Sequence, residues 1–242
     1  EILRSLIHTG AIDCDAVTCT WEAEECGEMD IPDTLYGVLR TRIDHLSAGA
    51  RNVLQLASVI GRRFAYPLLA EVADRSTLDT NLVALQREQL IRERTRVPEA
   101  TYSFQHQLTL EVAYDGLLKR ARPELHRRVA EALERLYPER LEKQLRLLAH
   151  HWERAGETER AVDFLRRAGE QAAAQYANEE ALAYLDRALA LIPSDSLEIR
   201  YEVLMARESI HDLRGDRDAQ AKDLAQLRSL AGLLNDGGCI GA

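Results

Sequence analysis

The sequence predicts a mainly α-helical protein that carries one small β-hairpin. Leu, Ala, Arg and Glu dominate the composition, and these residues lose little side-chain entropy in a helix. Apolar residues recur at helical spacing along most of the chain, whereas residues 90–104 alternate in two short runs around Pro98. With 242 residues, of which 46% are hydrophobic and 29% charged, the chain is long enough for one large domain or two smaller ones with real cores.

The net charge of -9 is concentrated at the N-terminus. Residues 1–32 hold one Lys or Arg against eight Asp and Glu, whereas residues 33–120 hold twelve against ten. No region is strongly basic, so the electrostatic signature of a nucleic-acid-binding protein is missing. No apolar run reaches the roughly 18 residues that a membrane span needs, and no signal peptide is visible. We therefore expect a cytoplasmic protein without a membrane segment.

Residues 1–31 divide into a short helix and a small acidic hairpin. Apolar residues from Ile2 to Ile7 follow a helical period, and Gly10 ends it. Alternation of Val17, Cys19 and Trp21 favours a hairpin within 11–29. The chain starts without Met inside a helical pattern, so we expect either a fragment or a processed chain.

The four cysteines do not predict a metal site. Cys14, Cys19 and Cys26 lie close together, but their spacing is not that of zinc ligands, and Cys239 is remote. We expect free cytosolic thiols.

Residues 32–120 predict a first domain made of short helices and a hairpin. A helix starts near Pro32, with an apolar face formed by Leu35, Val38, Leu39, Ile43 and Leu46. Ser47 is the predicted N-cap of the next helix, which Gly61 ends. A short helix over 66–73 and another capped by Ser76 or Thr77 follow.

The hairpin and the helix after it complete this domain. Residues 90–95 and 101–104 alternate around a turn at 98–100, and residues 106–118 return to a helical period. Short amphipathic helices followed by a hairpin and a further helix are typical of a winged helix, in which the hairpin forms the wing. The wing has a physical reason, because short helices cannot close a core alone and the hairpin covers the open side.

Residues 121–235 predict helices separated by short turns, and residues 236–242 form a tail. The breaks fall at Pro138, Gly156, residues 176–178, Pro193 and Gly215. Antiparallel helices joined by short connections form either a bundle or a solenoid.

One stretch of this region matches the pattern of small and large residues in tetratricopeptide repeats. Small residues let two helices approach closely, and a large residue fills the space beside them. The residues predicted to pack the repeat are Gly169, Ala181, Leu185, Ala188 and Pro193. A second, weaker register uses Ala149, Trp152, Ala161, Leu165 and Ala168, and a third around Leu204, Ala206, Gly215 and Ala221 is poor. The prediction is an antiparallel tetratricopeptide-like solenoid that binds a protein partner, and the alternative is a plain alanine-rich bundle.

Catalytic motifs are missing from the sequence. It contains no phosphate-binding Gly-rich loop, no dinucleotide fingerprint and no nucleophile elbow. The neighbours His150 and His151 should point to different faces of a helix, which argues against a shared metal. The candidate recognition helix, residues 77–89, carries mixed charge, although Arg62, Arg63, Arg92, Arg94 and Arg96 lie in or near the wing. We therefore expect no enzyme activity, no cofactor and no metal in this chain.

Three segments together give the sequence a family resemblance. They are Ile31–Leu46, Val53–Phe64 and Phe104–Leu118, the last followed by Leu125–Ala130. They resemble the region downstream of the ATPase core in bacterial STAND-type signalling ATPases, which often carry a class III adenylate or guanylate cyclase domain and C-terminal tetratricopeptide repeats. The resemblance extends to about residue 230 and implies that the helix at Glu1 is the end of the ATPase lid. It also implies that ATP or ADP binds only to an upstream domain.

The resemblance gives His106 a role. Phe104–Leu108 is similar to the Met-His-Asp motif of related winged helices, where the His contacts the β-phosphate of ADP, although Gln107 replaces the Asp. A helix N-terminus favours anions, and an imidazole can donate a hydrogen bond to phosphate. The implied function is a regulatory segment in which the winged helix, docked on the ATPase domain, gates its nucleotide state while the repeats bind a partner. The alternative functions are a DNA-binding transcriptional regulator and a stand-alone scaffold. The alternative for His106 is a residue at the helix start that bonds only to the local backbone.

Overall fold

The structure, a computed structural model, describes residues 12–14, 19–21 and 35–238, with side chains over 35–235. It is mainly α-helical and divides into two compact units, Glu1–Arg122 and Pro123–Ala242. Among the described helices, none is both long and apolar enough to cross a membrane. The predicted helix at Glu1, Cys26, Cys239 and most of the tail lie outside the described residues.

Two strands pair near the N-terminus. Strands β1 (Ile12–Cys14) and β2 (Cys19–Trp21) are antiparallel, with Asp13 opposite Thr20. This pairing agrees with the hairpin that the alternation of apolar residues predicts.

Helices α1 (Leu35–Asp44) and α2 (Ala48–Ile60) form the first part of the core. The predicted cap is confirmed, because the Ser47 hydroxyl accepts a hydrogen bond from the Ala50 amide at 3.2 Å. Gly61 ends α2 at a φ of 130°, which glycine adopts without strain. The buried face of α1 is narrower than predicted, since Leu35 is 50% exposed.

Three short elements follow. They are β3 (Arg63–Ala65), α3 (Tyr66–Val72) and α4 (Arg75–Arg87), and β3 was not predicted. The cap predicted at Ser76 or Thr77 is wrong. Asp74 is the cap, because its carboxylate accepts from the Ser76 amide at 3.0 Å and from the Ser76 hydroxyl at 2.8 Å.

A three-stranded antiparallel sheet of order β3-β5-β4 closes this core. Strands β4 (Ile91–Thr95) and β5 (Thr101–Phe104) form the predicted hairpin. Its inner face carries Phe104, whose ring lies edge-on to that of Phe64 with centroids 5.9 Å apart. Helix α5 (Gln107–Asp115) follows and ends before Gly116, three residues earlier than predicted, and a 3-10 turn over Lys119–Ala121 leads out of it.

The second unit is a succession of helices, of which the first starts one residue before the unit. They are α6 (Arg122–Leu136), a 3-10 segment (Pro138–Lys143), α7 (Leu145–Ala155), α8 (Thr158–Ala174), α9 (Asn178–Leu191), α10 (Leu197–Arg214) and α11 (Arg217–Gly238). The predicted breaks coincide with helix ends, and both Gly156 and Gly215 adopt the left-handed conformation that ends a helix. From α7 onward each helix packs against the next in the chain.

Two polar clusters link these helices. The Trp152 indole N–H donates to Glu134 at 2.8 Å, and Arg160 binds the other oxygen of that carboxylate at 2.6 Å. Arg207 of α10 bonds both oxygens of buried Asp223 on α11, at 2.5 and 2.9 Å, and reaches Asp186 of α9 at 2.6 Å. The side chains therefore tie helices together in sets of three.

Candidate functional site

Helices α8 and α9 approach each other closely at Gly169. A Cβ atom at this position would lie 3.0 Å from Cγ of Leu185 and 3.3 Å from the carbonyl oxygen of Ala181. Leu185, Ala181 and Ala188 are fully buried. Three of the five residues predicted to pack the repeat, Gly169, Ala181 and Leu185, therefore meet at one helix contact. Ala188 is buried further along α9, and Pro193 lies exposed just past the end of that helix.

The second and third matches to the repeat pattern differ in the burial of their residues. All five residues of the second register are buried along α7 and α8. In the third register, Leu204 is buried but Ala221 is exposed, and Gly215 only caps α10. The pattern of buried small and large residues thus extends from α7 to α9 and does not continue into α10 and α11, which pack through Leu204, Leu227 and Leu230 instead.

An open groove runs between α8 and α10. It is lined by Arg166, Glu170, Tyr201, Glu202, Met205 and Ala206. Arg166 is held by Asp163 at 3.2 Å and Glu170 at 2.7 Å, so its charge is locally balanced. Met205 is 46% exposed, which leaves an adaptable apolar side chain beside acidic ones.

His106 lies at the junction between β5 and α5. It is the N-cap residue of α5, but its side chain makes no capping hydrogen bond and is exposed. Gln107, which replaces the acidic residue of the related motif, is exposed and bonds Glu111 at 3.2 Å. The structure therefore leaves the imidazole of His106 facing solvent at a helix N-terminus.

The candidate recognition helix α4 offers little to DNA. Asn81 is buried and packs against Gly49, where an added Cβ would lie 3.0 Å from either terminal atom of the Asn81 amide. Asp79 is exposed and would repel phosphate.

The outer face of the sheet is basic. Arg63 and Arg92 both lie opposite Ser103, and Arg94 donates to the Ser103 hydroxyl at 2.9 Å. Partial desolvation, and then the nearby charges of Arg92, Arg63 and Arg62, lower the pKa of Arg94. Three of the five arginines that the sequence places in or near the wing thus converge on Ser103 of β5, whereas Arg96 bonds Glu93.

Three histidines converge between α6 and α7. Nδ1 of His126 lies 2.9 Å from Nδ1 of His151, and both residues are buried. The ring centroid of exposed His150 lies 5.7 Å from that of His126 and 5.3 Å from that of His151. His150 and His151 lie on different faces of α7, as expected, but this does not keep their ring nitrogens apart. One is buried and the other exposed, yet one nitrogen from each of the three lies within 4.8 Å of the others.

His151 is neutral at physiological pH. Burial, and secondarily the neighbouring His126 and His150, lower its pKa to about 2. Its Nε2 atom is buried and has no hydrogen-bond partner among the described residues. Such an atom calls for a physical explanation, because burying an unsatisfied polar group is costly.

Sequence reasoning missed this cluster for a geometric reason. His126 and His151 are 25 residues apart on different helices, and only the register of α6 against α7 brings them together. The one available signal was the presence of three of the seven histidines within residues 126–151.

Comparison with known proteins adds one relative. An uncharacterized protein of Rhizobium meliloti (strain 1021) is 34% identical over 158 residues, which is 64% of this chain. The chain covers 15% of the length of that relative. No protein-family model matches the sequence, and no solved structure gives a significant match. The relative's description states no activity.

Proposed function

We propose that this chain is a non-catalytic regulatory and protein-interaction segment of a signal-transducing ATPase. In this proposal the first unit is a winged helix that gates the nucleotide state, and the second is a tetratricopeptide-like stack that binds a partner. The sheet β3-β5-β4 among short helices supports the first part. The close approach at Gly169 supports the second and carries the proposal, because helix pairs that meet through small residues build the binding surfaces of such repeats.

The groove between α8 and α10 is the proposed partner surface. The charged residues that line this groove are Arg166, Glu170 and Glu202, so the formal charge of the groove is -1. Together with exposed Met205, this charge favours a partner segment that is apolar and carries Lys or Arg.

Photo-crosslinking tests the partner surface. A photoreactive amino acid at Met205 should capture a protein in cells, whereas the same group at Leu213, 73% exposed on the same helix, should not. The captured protein, purified, should bind the wild-type chain and lose most of its affinity for Met205→Glu. Equal capture at both positions, or unchanged binding to Met205→Glu, would refute the proposed surface.

The gating role is tested through His106. The coding sequence upstream of Glu1 should contain a phosphate-binding loop motif. In the protein that this longer sequence encodes, the variant His106→Ala should release ADP faster than wild type, because the hydrogen bond from the imidazole to the phosphate is lost. The control variant His45→Ala, which changes another exposed histidine, should release ADP at the wild-type rate. Equal release rates would remove His106 from the mechanism.

The basic sheet face favours DNA binding as a second candidate function. Fluorescence anisotropy with duplex DNA at several salt concentrations distinguishes the two functions. If DNA binding depends on salt and is abolished in the double variant Arg92→Ala, Arg94→Ala, the result would favour a transcriptional regulator. Binding that is weak and insensitive to these substitutions would favour the regulatory segment.

A further inference from the structure

The histidine cluster between α6 and α7 has the composition of a metal centre. Its three imidazoles come from two helices of one compact unit, and their ligand atoms lie within 4.8 Å of one another. Neutral imidazole is a good ligand for Zn²⁺ and for neighbouring transition metals. Carboxylate-preferring ions such as Mg²⁺ and Ca²⁺ find no acidic side chain within this cluster.

The distances need little change to suit a tetrahedral ion. Zinc binds histidine nitrogen at about 2.0–2.1 Å, so two such ligands lie about 3.4 Å apart. Nδ1 of His126 and Nδ1 of His151 are 2.9 Å apart, which is a hydrogen-bond distance. Separating them by about half an ångström would allow both lone pairs to face a cation.

The burial pattern gives the site a closed side and an open side. His126 and His151 are held in the helix interface, with 2% and 0% exposure, and their rings are fixed by packing. His150 is exposed and can turn toward the other two from solvent. Three protein ligands with one side open to water is the arrangement of a zinc site that keeps a water ligand.

Two further observations bear on the cluster. The buried Nε2 of His151 has no partner among the described residues, so no hydrogen bond at that atom holds the ring in one tautomer, and Nδ1 can present its lone pair to an ion. Glu153, the acidic residue whose charge acts on His150, is bound by Arg187 and is therefore not offered as a ligand.

We propose that His126, His150 and His151 form a binding site for one divalent transition-metal ion, with Zn²⁺ the best match to the ligands. The ion clamps α6 to α7 and carries a water molecule on its open side. Three neutral ligands give weaker binding than a four-cysteine structural site, since no ligand charge offsets that of the ion.

Isothermal titration of the chain with ZnCl₂ tests the site. Thiols also bind zinc, so the titration uses a background in which all four cysteines, Cys14, Cys19, Cys26 and Cys239, are replaced by Ser. Bound metal is first removed with EDTA, and circular dichroism checks that each variant folds. We expect one zinc per chain and, with Co²⁺, the intense visible absorption of a tetrahedral complex.

His150→Ala is the decisive variant, because an exposed side chain can be removed without opening the core. We expect it to raise the zinc Kd at least tenfold, and His126→Gln to abolish binding, while His45→Ala leaves the Kd unchanged. Zinc should also raise the Tm of the wild-type chain and not that of His150→Ala. No binding, or equal Kd values for His150→Ala and His45→Ala, would overturn the proposal.

Discussion

Glu153 and Arg187, 34 residues apart in the sequence, form an ion pair between α7 and α9. Nε of Arg187 lies 3.3 Å from Oε1 of Glu153, and a second guanidinium nitrogen contacts Oε2. The separation equals the length of one tetratricopeptide repeat. The two side chains are 26% and 41% exposed, so we assign the pair at most about 1 kcal/mol. The spacing is therefore compatible with the proposed repeat, in which equivalent positions of successive helix pairs would lie side by side.

Substituting Gly169 tests the helix contact directly. Gly169→Ala places a methyl group 3.0 Å from Leu185, so we expect a loss of about 1–2 kcal/mol in the free energy of unfolding, although Ala favours helix. Gly232→Ala is the matched control, because nothing lies within 4 Å of its added Cβ, and it should stabilise by up to about 1 kcal/mol. Urea denaturation followed by circular dichroism measures both. Equal effects of the two substitutions would disprove the close approach.

The indole of Trp152 should contribute through its N–H as well as its volume. Trp152→Phe removes the hydrogen bond to Glu134, so we expect a loss of about 2 kcal/mol in the free energy of unfolding. Tyr184→Phe is the comparison, since it removes a 3.2 Å bond from a less buried hydroxyl to Glu180 and should cost less than about 1 kcal/mol. A smaller cost for Trp152→Phe than for Tyr184→Phe would contradict this assignment.

The ion pair between Arg207 and Asp223 should matter more than any exposed pair. Asp223 is 2% exposed, so Asp223→Asn leaves the guanidinium with only one carboxylate partner and should cost about 3 kcal/mol. Asp186→Asn removes the other partner, which is 59% exposed, and should cost less than about 1 kcal/mol. Thermal unfolding of the two variants checks this order, and a reversed order would contradict it.

Acid should destabilise the metal-free chain through His151. Its folded pKa of about 2 lies below the unfolded value of about 6.5, so the unfolded state binds a proton first as the pH falls. The contribution of His151 to stability is therefore fully present above about pH 6.5 and declines below it, by about 3 kcal/mol near pH 4.5. Denaturation in EDTA across this range measures the slope. His151→Leu should flatten the slope and His45→Ala should not, and an unchanged slope in His151→Leu would assign the effect elsewhere.

The sequence predicted those elements whose signals are local. Ser47 and Gly61 bound α2 because a hydroxyl cap and a left-handed glycine act within a few residues. The cap of α4 was misplaced because Asp74 and Ser76 are both good caps, and only the observed start of the helix selects between them. Strand β3 was missed because three residues show no clear alternation, and its partner β5 lies almost 40 residues further on.

The candidate sites also differ in whether their sequence signal is local. The contact of Gly169 with Leu185 could be predicted because the spacing of small and large residues within one short stretch is visible in the sequence. The cluster of His126 with His151 depends on how two helices are aligned, and single-helix periodicity contains no information about that alignment.

The ion pairs that Arg207 forms with two neighbouring helices affect how the second unit unfolds. In a stack where each helix contacts mainly its neighbours, unfolding can proceed piecewise from one end. The guanidinium of Arg207 lies on α10 and binds one carboxylate on α9 and another on α11, so the unfolding of these three helices is coupled. Removal of this side chain should therefore reduce cooperativity, so that amide protons of α11 exchange in an earlier and separate step from those of α8.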